Sequence, residues 1–349
     1  MKSHRLVEYG KPLEMEELPD PHPKDTQVLL RVLAAGICHS DLHLSEGGYD
    51  LGGGKRLMVK DRGVRLPLTL GHETVGQAIA HGPTADVKLG RTYLVFPWIG
   101  CGECKICEAG DENLCARPRS LGVYQDGGYS DHLLVPHSRY LLDVTGLDPA
   151  VCASYACSGL TAFSALKKAG SFLTSDLIVI FGAGGLGLQS VRLLKALGGK
   201  GAVVVDIDKS KREAALEAGA VAALDGNAPD AIDRIAAVLG EPPRAAIDFV
   251  GSEQTASIAF GCLAKGGKLI TVGLFGGAAP WSLPLIALRA IAIQGSYVGN
   301  LQELKELLIL VRNNRVSPIP IARVKFEDVN EALDRLRAGR VIGRAVLVP

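Results

Sequence analysis

A repeated alternation of buried strands and helices in the middle of the chain is the feature that most restricts its fold. Leu177–Phe181 is a short unbroken apolar run, followed by a glycine loop and the helical pattern Leu186–Leu197. Ala202–Val205, which ends at Asp206, starts a second unit of this kind, with a helical stretch at Lys209–Ala218. Apolar strands that alternate with helices are typical of a parallel sheet covered on both faces. The sequence therefore predicts a doubly wound α/β domain.

The segments on either side of this domain have a different pattern of predicted secondary structure. Residues 1 to about 150 contain short β-rich runs such as Val28–Val32 and Tyr93–Pro97, often broken by Pro and Gly. After about residue 295 the alternation stops, and an amphipathic helix at Glu327–Ala338 and a strand at Arg344–Val348 are expected. A β-rich domain interrupted by the α/β domain is the simplest arrangement.

The glycine loop matches a dinucleotide-binding pattern. Gly182, Gly184 and Gly187 form G-x-G-x-x-G directly after a strand, and Asp206 ends the next strand. Such glycines let backbone amides approach a pyrophosphate at the helix N-terminus. Asp206 can accept hydrogen bonds from ribose hydroxyls and repel a 2′-phosphate, which favours NAD over NADP. A structural glycine turn without a cofactor is the alternative, and Lys211 either touches the same ribose or is simply solvated.

Four thiols within fifteen residues predict a metal site. Cys101, Cys104, Cys107 and Cys115 have the spacing C-x₂-C-x₂-C-x₇-C in a loop that is rich in glycine. Four thiolates suit a tetrahedral zinc ion or an iron–sulfur cluster. The alternatives are four thiols that are close in sequence by chance, or two disulfides, although such density in an intracellular-type chain usually means metal.

Three further residues, far apart in sequence, form a possible second metal set. Cys38 lies in C-H-S-D-x-H, His72 in Gly-His-Glu and Cys157 in Ala-Cys-Ser-Gly. A Cys₂His set leaves a fourth tetrahedral position for water or substrate. Taken singly, Cys157 reads as an ordinary core thiol and His72 as a turn residue; Cys152 and Cys262 are expected to be buried thiols.

Together these motifs resemble those of the zinc-dependent medium-chain alcohol dehydrogenases, over essentially the whole chain. The resemblance rests on Cys38–His43, Gly71–Glu73, the four-thiol segment, Gly182–Gly187 and Gly295–Gly299, and is nearest to the bacterial and archaeal NAD-dependent tetrameric branch. It implies a GroES-like catalytic domain at residues 1–153 and 295–349, with a structural-zinc lobe at about 98–116. Residues 154–294 would form the Rossmann NAD-binding domain.

The resemblance also implies roles for individual residues. Catalytic zinc would be held by Cys38, His72 and Cys157, with Glu73 as an occasional fourth ligand, and Asp41 would fix the tautomer of His72. Ser40 would take the alcohol proton and His43 would pass it to solvent. The cofactor would be held by these residues: His39, Thr161, Gly182, Gly184, Gly185, Leu186, Gly187, Asp206, Lys211 and Arg344.

The function implied is reversible NAD-dependent oxidation of primary or secondary alcohols to aldehydes or ketones by hydride transfer, with two zinc ions per chain. A zinc-dependent polyol or threonine dehydrogenase is one alternative. A catalytically silent nucleotide-binding relative is another, although such relatives lack the Cys₂His set.

Residues expected to line the substrate cleft by the same likeness are Tyr49, Trp98, Val123, Leu274 and Tyr297. They imply an apolar pocket for aromatic, cyclic or medium-length alcohols, although some of them also fit a core role. Ser120 is small where a bulky side chain would close the cleft. The glycine-rich Glu46–Gly54 and the charged Lys55–Arg65 are expected to form a loop over it.

Composition excludes several other classes of function. A net charge of +1 and scattered Lys and Arg give no reason to expect nucleic acid or a membrane surface as partner. Eight cysteines without a visible secretory signal favour a cytoplasmic protein with reduced thiols. The strand near Arg289–Gly295 would pair between subunits, and the family likeness implies a homotetramer built as a dimer of dimers.

Overall fold

The computed structural model describes all 349 residues. The strands are β1 Lys2–Leu6, β2 Glu14–Glu17, β3 Val28–Gly36, β4 Gly48–Asp50, β5 Arg56–Met58, β6 Leu68–Thr69, β7 Glu73–His81, β8 Thr92–Val95, β9 His132–Val135, β10 Leu141–Asp143, β11 Ile178–Phe181, β12 Ala202–Asp206, β13 Ala222–Asp225, β14 Ala245–Asp248, β15 Lys268–Thr271, β16 Ala292–Gly295, β17 Ile321–Lys325 and β18 Arg344–Val348. The α-helices are α1 His39–Ser45, α2 Lys105–Glu108, α3 Pro149–Ala153, α4 Ser158–Ala169, α5 Phe172–Ser175, α6 Gly185–Ala196, α7 Lys209–Ala218, α8 Ala231–Leu239, α9 Glu253–Cys262, α10 Leu283–Leu288, α11 Leu301–Arg312 and α12 Val329–Arg337.

A six-stranded parallel sheet forms the middle of the molecule, in the order β13-β12-β11-β14-β15-β16. Ile178 and Ile180 of β11 belong to one hydrophobic cluster, whereas Val179 and Phe181 belong to a second cluster on the opposite face. This period of two is that of a strand covered on both faces. The predicted doubly wound sheet is confirmed. Because strand order reverses beside β11, the carboxyl end of β11 opens into a crevice suited to a ligand.

The β-rich part is built from both ends of the chain. Its largest sheet has the order β10-β8-β7-β3-β18-β17, and β9 also pairs with β3. Val346 and Leu347 of β18 pair antiparallel with Gly36 and Ala35 of β3. The last strands therefore return to the first half of the chain, which agrees with a domain interrupted by the α/β part. The boundaries at residues 153 and 295 stay a prediction.

Several elements were missing from the sequence-based expectations, among them α11 and β17. The parallel sheet ends with β16 at Gly295, as expected, but the helix α11 follows it, and β17 then joins the β-rich sheet. Leu304, Leu307, Leu308 and Val311 of α11 are buried at a helical spacing, and Asn300 caps its first turn. The expected loop over the cleft contains the β4–β5 hairpin.

No single helix is long and apolar enough to cross a membrane; α3 and its continuation to Ala156, taken with α4, meet that test only as a pair bent by 47°.

Candidate active site

Three loops bring the predicted Cys₂His set together. Cys38 follows β3 and precedes α1, His72 precedes β7, and Cys157 precedes α4. Their ligand atoms and a carboxylate oxygen of Glu73 lie within 4.8 Å of one another, and all four residues are buried. The Sγ atoms of Cys38 and Cys157 are 3.9 Å apart. A tetrahedron with Zn–S bonds of 2.3 Å has edges of about 3.8 Å, so this donor set fits a zinc ion.

Asp41 holds the loops of this cluster in place. Its carboxylate accepts hydrogen bonds from the backbone N–H of Cys38 at 2.8 Å and from the Tyr129 hydroxyl at 2.9 Å. Asp41 Oδ1 also lies 3.3 Å from His72 Nδ1, though not in hydrogen-bond geometry. His72 Nε2 is buried without a partner. A buried ring nitrogen without a partner is costly unless a ligand completes it, which supports Nε2 as the metal-binding atom.

The charges around the thiols favour a thiolate at Cys38. A hydrogen bond from the Cys157 thiol, with smaller contributions from Arg344 and His72, holds the pKa of Cys38 well below its ordinary value. Burial disfavours a charge on His72, but Asp41 and the Cys38 thiolate more than offset this and raise its pKa. Metal binding requires a deprotonated thiol and a neutral imidazole, so a cation bound here would displace protons from this cluster.

Glu73 and Arg344 form a buried ion pair beside the cluster. The Arg344 Nε donates to Glu73 Oε2 at 2.8 Å, its Nη2 donates to Oε1, and the Ser158 backbone N–H also donates to Oε1. The Arg344 Nη1 lies 3.4 Å from where a Cβ on Gly185 would be. Glu73 is thus tied to Arg344, and Arg344 connects the metal cluster with the glycine loop rather than pointing freely into the crevice.

The predicted proton-relay residues lie on α1, near the cluster. Ser40 Oγ is 3.8 Å from Cys38 Sγ, and the His43 ring packs at 4.9 Å from the Tyr49 ring. No hydrogen bond joins Ser40 to His43, so a proton passing between them needs a bridging group. His39, exposed in the first turn of α1, is close enough to Arg344 and Lys211 for their charges to act on it.

The glycine loop is packed as a phosphate-binding turn requires. Gly182 has φ +92°, and a Cβ on Gly187 would lie 1.9 Å from the Gly182 carbonyl oxygen. A Cβ on Gly184 would meet nothing within 4 Å, so open space lies beside this residue at the start of α6. Gly185 and Leu186, in the first turn of α6, have backbone N–H groups without helical partners. This geometry fits a pyrophosphate.

The remaining predicted cofactor residues surround the same crevice. Asp206 ends β12, and its Oδ2 accepts a hydrogen bond from the Ala183 backbone N–H at 2.7 Å. Thr161, in the second turn of α4, has a buried Oγ1 without a partner. Lys211 Nζ lies 3.8 Å from where a Cβ on Gly339 would be, so it spans from α7 to the C-terminal part of the chain. These positions suit a dinucleotide; their individual roles stay predictions.

The four-thiol segment folds into a separate cluster. Sγ–Sγ distances are 3.5 Å for Cys104–Cys107, 3.8 Å for Cys104–Cys115 and 3.9 Å for Cys101–Cys107. These match the edges of a zinc–thiolate tetrahedron and are far longer than a disulfide bond. A Cβ on Gly100 would lie 2.5 Å from Cys107 Sγ, which explains the glycine there.

The predicted substrate residues lie between the metal cluster and solvent. The Trp98 ring is 5.2 Å from the His72 ring and 6.1 Å from the Tyr297 ring. Trp98 is buried, with its Nε1 donating to the Ala156 carbonyl at 3.0 Å, whereas Tyr297 and Leu274 are each nearly half exposed. Tyr49 and Val123 are half-buried. The pocket is therefore aromatic near the metal cluster and open at its outer end.

Sequence reasoning missed three contributors to this region. Tyr129 supports Asp41 from the loop before β9; Tyr124 and Arg62 lie near the phenols of Tyr49 and Tyr297. Tyr129 and Tyr124 belong to no motif, and nothing in the sequence indicates their positions. The sequence places Arg62 in the charged segment Lys55–Arg65 but does not indicate which residues it lies near.

Comparison with known proteins agrees with the fold and with the candidate metal cluster described above. Residues 24–145 match the family described as alcohol dehydrogenase GroES-like domain, and residues 185–313 match zinc-binding dehydrogenase. NAD-dependent alcohol dehydrogenases of Sulfurisphaera tokodaii and Saccharolobus solfataricus are each 39% identical, over all of both chains. The crystal structure of an alcohol dehydrogenase from Aeropyrum pernix superposes with a TM-score of 0.90 and 31% identity, covering 100% of each chain.

Proposed function

The chain belongs to the zinc-binding alcohol dehydrogenase family, and from this premise we propose that it is an NAD-dependent enzyme that interconverts alcohols with aldehydes or ketones. The observation that carries the proposal is the convergence of Cys38, His72 and Cys157 in a buried cluster beside the crevice of the glycine loop. A catalytically silent nucleotide-binding relative would not need these three metal ligands. The names of the relatives favour a general alcohol over a polyol as substrate class.

Cys38, His72 and Cys157 would hold the catalytic zinc. Zinc bound there would act as a Lewis acid, lowering the pKa of a coordinated hydroxyl group by several units. Asp41 lies beside Nδ1 of His72, so Nε2 is the ring nitrogen that remains for the metal. Glu73 is a poor permanent ligand because Arg344 and the Ser158 N–H occupy its carboxylate. It would become available only if Arg344 moved.

The chain's other groups would bind the cofactor and carry the proton. The N–H groups at the start of α6 and the Arg344 guanidinium would face the pyrophosphate, and Asp206 the adenosine ribose. Ser40, beside Cys38, would accept the substrate's hydroxyl proton, and His43 would deliver it to solvent. Burial lowers the pKa of His43, which keeps the imidazole neutral and able to receive a proton.

Metal analysis combined with an alcohol oxidation assay tests this function. We expect about two zinc ions per chain and NAD⁺ reduction with benzyl alcohol. Cys38→Ser should retain about one zinc and lose activity, because one thiolate of three protein ligands is gone. Cys152→Ser, a buried thiol outside both clusters, is the matched control. Near-full activity of Cys38→Ser after dialysis against chelator would contradict the proposal.

We further propose that the protein assembles through the edge of its six-stranded sheet. β16 pairs only with β15 and leaves its other side open. The helix α10, which precedes β16 in the chain, exposes three leucines, Leu283, Leu285 and Leu288. An open strand edge together with exposed leucines suits a second copy of the chain. Two such dimers would give the expected homotetramer.

A cytoplasmic location also remains a proposal. It is supported by the eight cysteines, none of which forms a disulfide bond.

A further inference from the structure

The four-thiol lobe contacts residues 297–300, which lie between the six-stranded sheet and α11. Asn113 of the lobe donates a hydrogen bond from its Nδ2 to the Tyr297 backbone carbonyl at 3.0 Å. Asn300 donates from its own Nδ2 to Oδ1 of Asp111, also in the lobe, at 2.9 Å. The two contacts span 184 and 189 positions of the sequence. Two hydrogen bonds therefore fasten the two ends of this short segment to the lobe.

The position of Asn113 is fixed, because its neighbours in the chain are anchored. Glu112 is buried, and its Oε2 accepts a hydrogen bond from the Gly100 backbone N–H at 3.1 Å. Cys115, two residues beyond Asn113, belongs to the thiol cluster. The Asn113 amide makes one hydrogen bond within the chain, the one to Tyr297, because its Oδ1 is buried without a partner.

Residues 297–300 have a conformation that needs such support. Val298 has φ +41°, a left-handed conformation that a β-branched residue adopts only where its surroundings hold it. A Cβ on Gly299 would lie 2.6 Å from a methyl carbon of Leu160 in α4, and α4 begins directly after Cys157. The segment is therefore in contact both with the lobe and with the helix that begins beside the Cys₂His cluster.

The ring of Tyr297 is the part of this segment that reaches the substrate cleft. It stands edge-on to the Trp98 ring, with 6.1 Å between the centroids, and the Trp98 ring lies 5.2 Å from the His72 ring. Trp98 is held independently, by the hydrogen bond from its Nε1 to the Ala156 carbonyl at 3.0 Å. The Tyr297 side chain makes no hydrogen bond within the chain, so the anchored backbone sets where its ring lies.

We propose that Asn113 is a positioning residue for the substrate cleft: by holding the Tyr297 backbone, it sets the outer wall against which an aromatic alcohol binds. The four-thiol lobe would then contribute to substrate selection as well as to stability. A small alcohol at the Cys₂His cluster would not reach Tyr297, whereas the ring of benzyl alcohol would lie beside Trp98 and Tyr297. The inference rests on the proposed alcohol dehydrogenase function and gives that function a residue that discriminates between alcohols by size.

The test compares KM and kcat for benzyl alcohol and for ethanol, with NAD⁺, in the wild type and in Asn113→Leu. Leucine keeps the size of the side chain and removes the donor, and the lobe should stay folded because Asn113 Oδ1 has no partner to lose. We expect KM for benzyl alcohol to rise about fivefold, as for the loss of one neutral hydrogen bond. The kcat and the KM for ethanol should be nearly unchanged. Tyr297→Ala should raise the same KM, and adding Asn113→Leu to it should have little further effect, because both changes act through one contact.

Two further readouts need no turnover and separate positioning from a general loss of structure. Zinc content should stay at about two per chain in Asn113→Leu. In a Trp281→Phe background Trp98 is the only tryptophan. Acrylamide should then quench its fluorescence more strongly in Asn113→Leu, because the Tyr297 ring no longer stays at its edge.

Lys105→Ala is the matched control, because Lys105 is an exposed residue of the same lobe whose side chain makes no hydrogen bond or ion pair. It should change neither KM nor the quenching. An unchanged KM for benzyl alcohol in Asn113→Leu, an equal rise in KM for ethanol, or a fall in zinc content would overturn the inference while leaving the alcohol dehydrogenase function intact. No oxidation of either alcohol by the zinc-loaded wild type would overturn both.

Discussion

At the scale of single residues, several side chains contact two different parts of the site, and this restricts their positions. Arg344 neutralises buried Glu73 and also approaches Gly185 in the glycine loop. Asp41 accepts a hydrogen bond from the backbone N–H of Cys38 and lies 3.3 Å from Nδ1 of His72. Removing one partner of a buried ion pair leaves an uncompensated charge, at a cost of roughly 3–5 kcal/mol. The metal cluster and the cofactor crevice therefore share their electrostatic support.

Asp206 gives a residue-scale prediction about cofactor choice. Asp206→Asn keeps the shape of the side chain but removes the charge that would repel a 2′-phosphate, so the preference for NAD⁺ over NADP⁺ in kcat/KM should fall about tenfold or more. Asp225→Asn, at the equivalent end of neighbouring β13, should leave the preference unchanged. A wild type that uses NADP⁺ better than NAD⁺ would contradict the role given to Asp206.

His43 gives a second prediction at this scale, on pH dependence. Burial lowers its pKa, while Glu46 and Cys38 oppose the change. A neutral imidazole can receive a proton, so its contribution should be present above that lowered pKa and lost as pH falls through it. His43→Ala should lower kcat by about 10²-fold and remove this acidic limb from the pH profile of kcat. The exposed His22→Ala control should keep it. Loss of all activity in His43→Ala would mean that His43 does more than carry a proton.

At the scale of elements, the candidate functional residues lie in short loops, and the helices and strands on either side hold these loops in position. Each residue of the Cys₂His cluster stands just before a regular element: Cys38 before α1, His72 before β7 and Cys157 before α4. The same holds for the glycine loop between β11 and α6. Loops at element ends can bring distant residues together because the packed elements fix where each end lies.

The four-thiol lobe gives the element-scale prediction. Cys104→Ser removes one ligand of this cluster, 3.5 Å from Cys107 and 3.8 Å from Cys115. Metal analysis should show zinc falling from about two to about one per chain, with a lower melting temperature and the catalytic zinc retained. Cys262→Ser, in a buried helix position outside the lobe, should keep about two. Full zinc content in Cys104→Ser would show that the lobe does not bind metal through all four thiols.

At the scale of the whole molecule, the chain's return from β18 to β3 closes the β-rich part around the α/β part. Arg344, the first residue of β18, reaches Glu73 at the start of β7. The hairpin tip also touches the α/β part, because a Cβ on Gly52 would lie 2.6 Å from the Ala278 nitrogen. Contacts of this kind bring residues from both parts of the molecule to one crevice, where neither part alone could form the site.

Assembly gives the prediction that belongs to this scale. Leu288→Asp places a charge in the exposed leucine patch of α10, so it should shift the protein toward smaller species in size-exclusion chromatography with light scattering. Leu216→Asp, on exposed α7, should leave the size unchanged. A wild type that is monomeric at all concentrations would contradict the proposed assembly.

The sequence by itself determined the doubly wound sheet, the glycine loop and the two groups of candidate ligands. These are local signals: strand and helix periods, glycines that must pass close to backbone, and donor atoms of the right chemistry. It also gave the bounds of α7 and β18 as the structure has them. It missed α11, although the spacing of its leucines carried the helical signal.

Only the tertiary structure decided which side chains meet across long separations. The pairing of Arg344 with Glu73, the support of Asp41 by Tyr129, and the ring contact of Trp98 with Tyr297 each join residues more than 80 positions apart. Periodicity reports which face of an element is buried, but not which distant residue packs against it. That choice is made by the packing of whole elements, which brings the zinc and NAD motifs together in one site.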